Sequence, residues 1–281
     1  PPERPQGAVP RTPVASGFGW RPVSAWAALL SGFAITIFVG AIVAVVASAA
    51  GAKTDHLPPG VNIALTYFQD VALVGVALLF ARMTARPRAR DFGLRRTPLA
   101  PAVGTLLVVW AAFFSVSAAW IGALGIHDKD RLPDELGVDS STAALVLVLL
   151  LVVVAAPIAE EFFFRGYFFT ALRPWGLWPA AIVTGLVFGA IHGLSSPIGF
   201  LVPLAVLGIG LCILYWRTGS LYPCIALHAL NNSVAFGASQ HWTWQIPLTM
   251  IGAVAVALAT AVLIARGLER RRGTPLPLPA S

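Results

Sequence analysis

Eight times between residues 24 and 266 the chain runs with little or no charge for about twenty residues, the length a helix needs to cross a hydrocarbon core of roughly 30 Å. The runs fall at 24–49, 61–82, 99–124, 143–172, 178–194, 197–216, 220–237 and 245–266. Strands of a membrane barrel alternate polar and apolar residues, which these runs do not. A soluble domain carries about 25% charged residues, whereas this chain carries 11%. The sequence therefore predicts an all-α, polytopic transmembrane helix bundle of about eight spans, with the lipid bilayer as its surroundings.

The charges orient it. On one side of the runs the loops hold Arg82, Arg86, Arg88, Arg90, Arg95, Arg96, Arg173, Arg217, Arg266 and the arginines at 270–272. The other side holds Lys53, Lys129 and Arg131 together with Asp55, Asp128, Asp130, Asp134, Glu135 and Asp139. Basic loops stay in the cytoplasm, which puts both termini there and requires an even number of spans. The net charge of +7 is thus read as contact with anionic lipid rather than with nucleic acid. A bacterial cytoplasmic membrane is the expected location. The first run is too long for the apolar stretch of ~7–15 residues in a secretory signal, so it is read as a span. Residues 1–23, rich in Pro, Gly and Arg, read as a disordered cytoplasmic tail, and 241–281 as the last span with a basic, Pro-rich tail. Cys212 and Cys224 both lie in apolar runs, which gives no disulfide framework.

Inside the fourth run stands AAPIAEEFFFRG, residues 155–166. An ionised side chain at bilayer depth costs at least ~2.5 kcal/mol, so two adjacent acids and an arginine there point to function. Glu161 and Arg165 are i,i+4 neighbours with the acid first, the favourable orientation for a pair. Arg165 then neutralises Glu161 and leaves Glu160 on another face. Pro157 removes a helical hydrogen bond and is expected to kink the helix beside the acids. The phenylalanines at 162–164, 168 and 169 are expected to pack against lipid and neighbouring helices.

Two later runs each bring a histidine. In the fifth, Phe188 precedes His192 by four, and Gly185, Gly189 and Gly193 form a ridge that lets another helix approach closely. The turn at 195–197 is tight enough for the fifth and sixth runs to form a re-entrant pair. In the seventh, His228 and Asn232 share a face, with Asn231 beside them. At 1.5 Å per residue from the cytoplasmic ends, Glu160, His192 and Asn232 lie ~18–21 Å deep and His228 ~12 Å. Such residues suit hydrolysis: Glu160 could take a proton from an attacking water, His192 could orient that water or share the proton, and His228 and Asn232 can donate to the oxyanion. The same Glu160, His192 and His228 could instead ligate a divalent metal such as zinc, with a water in the open position.

EEFFFR, FGAIH and HALNN, in that order on successive helices, resemble the motifs of the CAAX-protease and bacteriocin-processing family of intramembrane proteases, also called the Abi family. The resemblance covers roughly 140–240 as the protease core and leaves 24–139 as variable N-terminal helices and loops. It implies an eight-helix fold and peptide hydrolysis in the membrane. Glu160 matches the water-activating glutamate, Glu161 its neighbour, Arg165 the motif arginine, His192 the second-motif histidine, and His228 with Asn232 the third-motif pair. Phe188 and Asn231 fall in supporting positions. The family is often called metalloprotease, but a glutamate-dependent mechanism without metal is the reading adopted, with a peptide or membrane protein as substrate. Two other readings stay open at this point. One is a non-proteolytic scaffold or bacteriocin-immunity protein of the same fold. The other is a proton-coupled transporter using Asp70, an acid in the middle of the second run that the motifs do not explain.

Overall fold

The computed structural model describes residues 19–51, 57–126 and 132–270. The expected tails up to residue 18 and from 271, and the loop charges Lys53, Asp55, Asp128, Lys129, Asp130 and Arg131, lie outside the described residues.

The apolar runs become eight long helices: α1 Pro22–Ala49, α2 Pro59–Thr84, α3 Leu99–Leu124, α4 Thr142–Trp175, α5 Leu177–Ile191, α6 Leu201–Thr218, α7 Leu221–Ser239 and α8 Gln245–Arg270. No strand occurs among the described residues. The polytopic helical bundle expected from the sequence is what forms. Helices α1, α2, α3, α4, α6 and α8 are long and apolar enough to cross a membrane.

Helix α4 is the centre of the bundle, and it is not regular. Ser141 caps its start, its Oγ accepting the Ala144 N–H. Leu151–Ala155 and Phe162–Phe169 are wound as π-helix, on either side of the α-helical turn Ala156–Glu161. The Ala156 N–H donates to Leu151 O, five residues back. The next bond in that register would join Pro157 to Val152 O, but proline has no N–H. The kink expected at Pro157 is therefore expressed as a change of winding around the two glutamates. Such π-turns inside α-helices concentrate at functional sites.

The phenylalanines do not face lipid. Phe162, Phe163, Phe164, Phe168 and Phe169 are all buried, with α1, α2, α5, α6 and α7 packed around their stretch of α4. This corrects the expectation of lipid contact. Lipid tails are as apolar as these rings, so helix association in a membrane is driven by close packing, and large rings gain most where helices meet.

Helices α5 and α6 pack closest. A methyl on Gly185 would stand 2.5 Å from Ile209 Cγ1, and one on Gly208 2.8 Å from Gly185 Cα. Gly189 is as tightly held, against Leu201 O at 2.5 Å, whereas Gly193 meets only Leu201 Cδ1 at 3.3 Å. The helix of α5 stops at Ile191, three residues before the expected end, and continues as the 3-10 turn His192–Leu194. Its 15 residues reach ~22 Å, less than a hydrocarbon core. His192 consequently sits at the end of a helix rather than within one.

Hydrogen bonds gather the arginine-rich segments at one end of the bundle. Ser220 Oγ donates to Arg95 O at 2.6 Å, the Leu221 N–H to Gly93 O at 2.8 Å, and the Ala89 N–H to Glu269 Oε1 at 3.1 Å. At the opposite end Asn62 Nδ2 donates to Glu135 O at 3.4 Å and Trp120 Nε1 to Gly199 O at 3.0 Å. Basic and acidic segments thus separate as the loop charges require. The tail expected over 1–23 ends sooner. Trp20 is buried, its ring 5.0 Å from both Phe92 and Tyr167, because a loop turn at Ala89–Phe92 folds back over the start of α1.

Candidate active site

The two glutamates meet opposite surroundings. Glu161 is fully buried, and its Oε1 accepts from Arg165 Nη1 at 2.8 Å and from His228 Nδ1 at 2.8 Å. Arg165, also fully buried, donates its other terminal nitrogen to Gly208 O at 3.0 Å. Its guanidinium lies 4.7 Å from the centroid of the Phe188 ring, a cation–π contact in a site without bulk water. The i,i+4 pair read from the sequence is therefore present, and it carries more than charge balance. It holds α4 to α6 through Gly208 and to α7 through His228.

Glu160 points the other way. Its Oε2 is buried and makes no hydrogen bond to the protein. It stands 4.0 Å from His192 Nε2 and 3.9 Å from His228 Nε2. Those separations are too long for a direct bond and suit a bridge through one small intervening group. Both histidines are held by their far nitrogen. His192 Nδ1 lies 2.7 Å from Phe188 O, a carbonyl that can only accept, so Nδ1 carries a proton and a neutral ring leaves Nε2 as acceptor. His228 Nδ1 donates to the Glu161 carboxylate in the same way, so its Nε2 becomes a donor only in the imidazolium form. The site is reached from the side of Glu160 and His192, whose side chains are 14% and 23% exposed, against 3% for His228.

Glu160 from α4, His192 from the end of α5 and His228 from α7 thus come together. Asn232, one turn beyond His228, donates from Nδ2 to Val152 O at 2.9 Å. That carbonyl is the one Pro157 cannot serve, so the amide satisfies a group left open by the winding of α4. One N–H of Asn232 remains for other use. Asn231 is buried in α7. Phe188 supports the site twice, with its carbonyl on His192 and its ring 5.7 Å edge-on from that of His228.

Three contributions are backbone carbonyls, of Val152, Phe188 and Gly208, and no side-chain pattern could have marked them. Asp70 could be found, as an acid in mid-span. It is buried in α2, its Oδ2 lacks a partner, and it lies within electrostatic reach of Glu160.

For a metal, the candidate donors are Glu160, His192 and His228. A tetrahedral zinc with bonds of ~2.0–2.1 Å would bring its donors within ~3.3 Å of one another, and Glu160 Oε2 stands 3.9 and 4.0 Å from the two ring nitrogens. Among the described residues no group of three His, Cys, Asp or Glu side chains is arranged to hold a metal ion. The donors do not fit a zinc shell as they stand.

Residues 142–234 match the family described as type II CAAX prenyl endopeptidase Rce1-like. The matched stretch runs from the first residue of α4 into α7 and includes Glu160, Glu161, Arg165, His192, His228 and Asn232. It is the kind of family that the three motifs resemble. No curated protein and no solved structure matches the chain.

Proposed function

We propose that this chain is an intramembrane endopeptidase in which Glu160 activates water for attack on a peptide carbonyl. The observation that carries the reading is Glu160 Oε2, buried and unbonded, opposite two Nε2 atoms at 3.9 and 4.0 Å whose rings are each fixed from behind. A water held there donates one proton to the Glu160 carboxylate and the other to His192 Nε2. Its oxygen adds to the carbonyl carbon, and the resulting oxyanion accepts from the free N–H of Asn232 and from His228. Glu160 then passes its proton to the amide nitrogen as the C–N bond breaks. An imidazolium at His228 balances the cluster, since Glu160, Glu161, Arg165 and His228 then sum to zero charge in an apolar bundle. No step is assigned to a metal.

The substrate proposed is a peptide or membrane-protein segment. A prenylated C-terminal peptide is the first to test, since the matched family is named for that activity. Protein purified in detergent should cleave such a peptide, or members of a membrane-peptide library. Loss of general-base catalysis costs ~10²–10⁴-fold, so Glu160→Gln and His192→Ala should fall by that order. Cleavage should persist in a metal chelator. Undiminished cleavage by both variants overturns the assignment, and loss in the chelator overturns its metal-free form.

A further inference from the structure

A cavity of about 450 Å³ opens at the arginine-rich end, far along the chain from the carboxylates, between the loop at 89–96, the first turn of α7 and the last turns of α8. Four arginines line it, Arg90, Arg96, Arg266 and Arg270, together with Tyr222. Leu94 and Val262 supply apolar wall. One acid is present, Glu269, and its Oε1 is taken by the Ala89 N–H, which fastens the loop to α8. Arg90 lies 4.0 Å from Asp91, whose other oxygen accepts the Arg88 N–H. Arg96, Arg266 and Arg270 have no ion-pair or hydrogen-bond partner among the described residues. Arg96 and Arg266 both lie within electrostatic reach of the Tyr222 hydroxyl.

This arrangement has the features of a phosphate site. Guanidinium forks match phosphate oxygens, and a phenol adds a neutral donor. Its place says which phosphate. The cavity lies where α7 begins and α8 ends, the level at which a bilayer presents its headgroups. Next in the chain to the lining Val262, α8 exposes Leu263 at 64%, a surface on which an acyl chain can lie. Basic pockets at helix ends on the cytoplasmic side are suited to anionic headgroups. We infer that this cavity binds the phosphate of an anionic phospholipid, with the glycerol against Leu94 and Val262 and an acyl chain along α8. The inference stands whether or not the carboxylate site hydrolyses peptides.

Full-length protein in neutral detergent is titrated with phosphatidylglycerol, with phosphatidylcholine, and with inorganic phosphate, reading bound lipid by native mass spectrometry and Tm by thermal unfolding. Phosphatidylglycerol should bind one per chain and raise Tm, and the other two should not. Arg96→Gln with Arg266→Gln should weaken that binding about thirtyfold, at roughly a factor of five per charge, with Tm in phosphatidylcholine unchanged. Arg82→Gln with Arg217→Gln removes two arginines from the same end outside the cavity, and should leave binding intact. Equal loss in both double variants would reduce the effect to diffuse surface charge and overturn the site. An equal Tm shift from inorganic phosphate alone would overturn the lipid as its source.

Discussion

Residues 160 and 161 are the same amino acid one step apart on the same helix, yet they sit in two different regions of the molecule. On the Glu161 side the charge is paired and sealed, with Glu161 Oε2 and Arg165 Nε as the two buried atoms that make no hydrogen bond. An arginine and a histidine share one oxygen, the arginine continues to Gly208 O, and the pair is fully buried. On the Glu160 side the buried oxygen has no hydrogen bond, and the side chains of His192 and Glu160 are partly exposed. Breaking a buried pair leaves an uncompensated charge, so the first side resists change. A carboxylate with no partner is free to take a proton, so the second side can react. On the proposed reading, the difference teaches that a membrane protein keeps a reactive carboxylate in its core by pairing the neighbouring one with an arginine and a histidine. His228 links the regions, with Nδ1 on Glu161 and Nε2 toward Glu160.

The comparison can be broken at Arg165 with the largest effect. Arg165→Ala should cost about 3–5 kcal/mol by stranding Glu161, seen as a large fall in Tm and poor recovery from membranes. A folded, fully stable variant would mean that the sealed side is not what holds the bundle. Asn232 sharpens the boundary between the regions. Asn232→Ala leaves Val152 O unpaired, a loss of about 1–3 kcal/mol in stability, and if the second N–H serves an oxyanion, kcat should fall by ~10²-fold as well. A drop in Tm with kcat unchanged would assign Asn232 to the sealed side alone. Asp70 gives the smallest effect. Asp70→Asn removes an acid within electrostatic reach of Glu160 and should lower cleavage about fivefold, ~1 kcal/mol, with little change in Tm. An unaltered rate would detach Asp70 from the site.

Much of this was legible in the residues because it depends on local periodicity. The eight runs announce helices, the arginines announce the end at which loops gather, and the i,i+4 spacing pairs Glu161 with Arg165. Counting depth along the helices puts Glu160 and His192 at one level but His228 about 6 Å nearer the cytoplasmic end, whereas the fold sets its Nε2 3.9 Å from Glu160 Oε2. What was not legible depends on tertiary geometry. The sequence leaves His228 free to serve either glutamate, and the fold gives Nδ1 to Glu161. Pro157 signals a lost bond, but not that the helix would rewind as π-turns and hand Val152 O to Asn232. Phe162 to Phe164 look alike whether they meet lipid or protein, since both are apolar. Trp20 sits in a stretch with the composition of a tail, and only the return of the loop at Ala89–Phe92 buries it.

The most direct measurement sets Glu160→Gln beside Glu161→Gln, each assayed for Tm and for cleavage of the same peptide. The account predicts that Glu160→Gln keeps the wild-type Tm and loses cleavage, while Glu161→Gln loses Tm because Arg165 and His228 are left without their carboxylate. Cleavage retained by Glu160→Gln at wild-type Tm would contradict it.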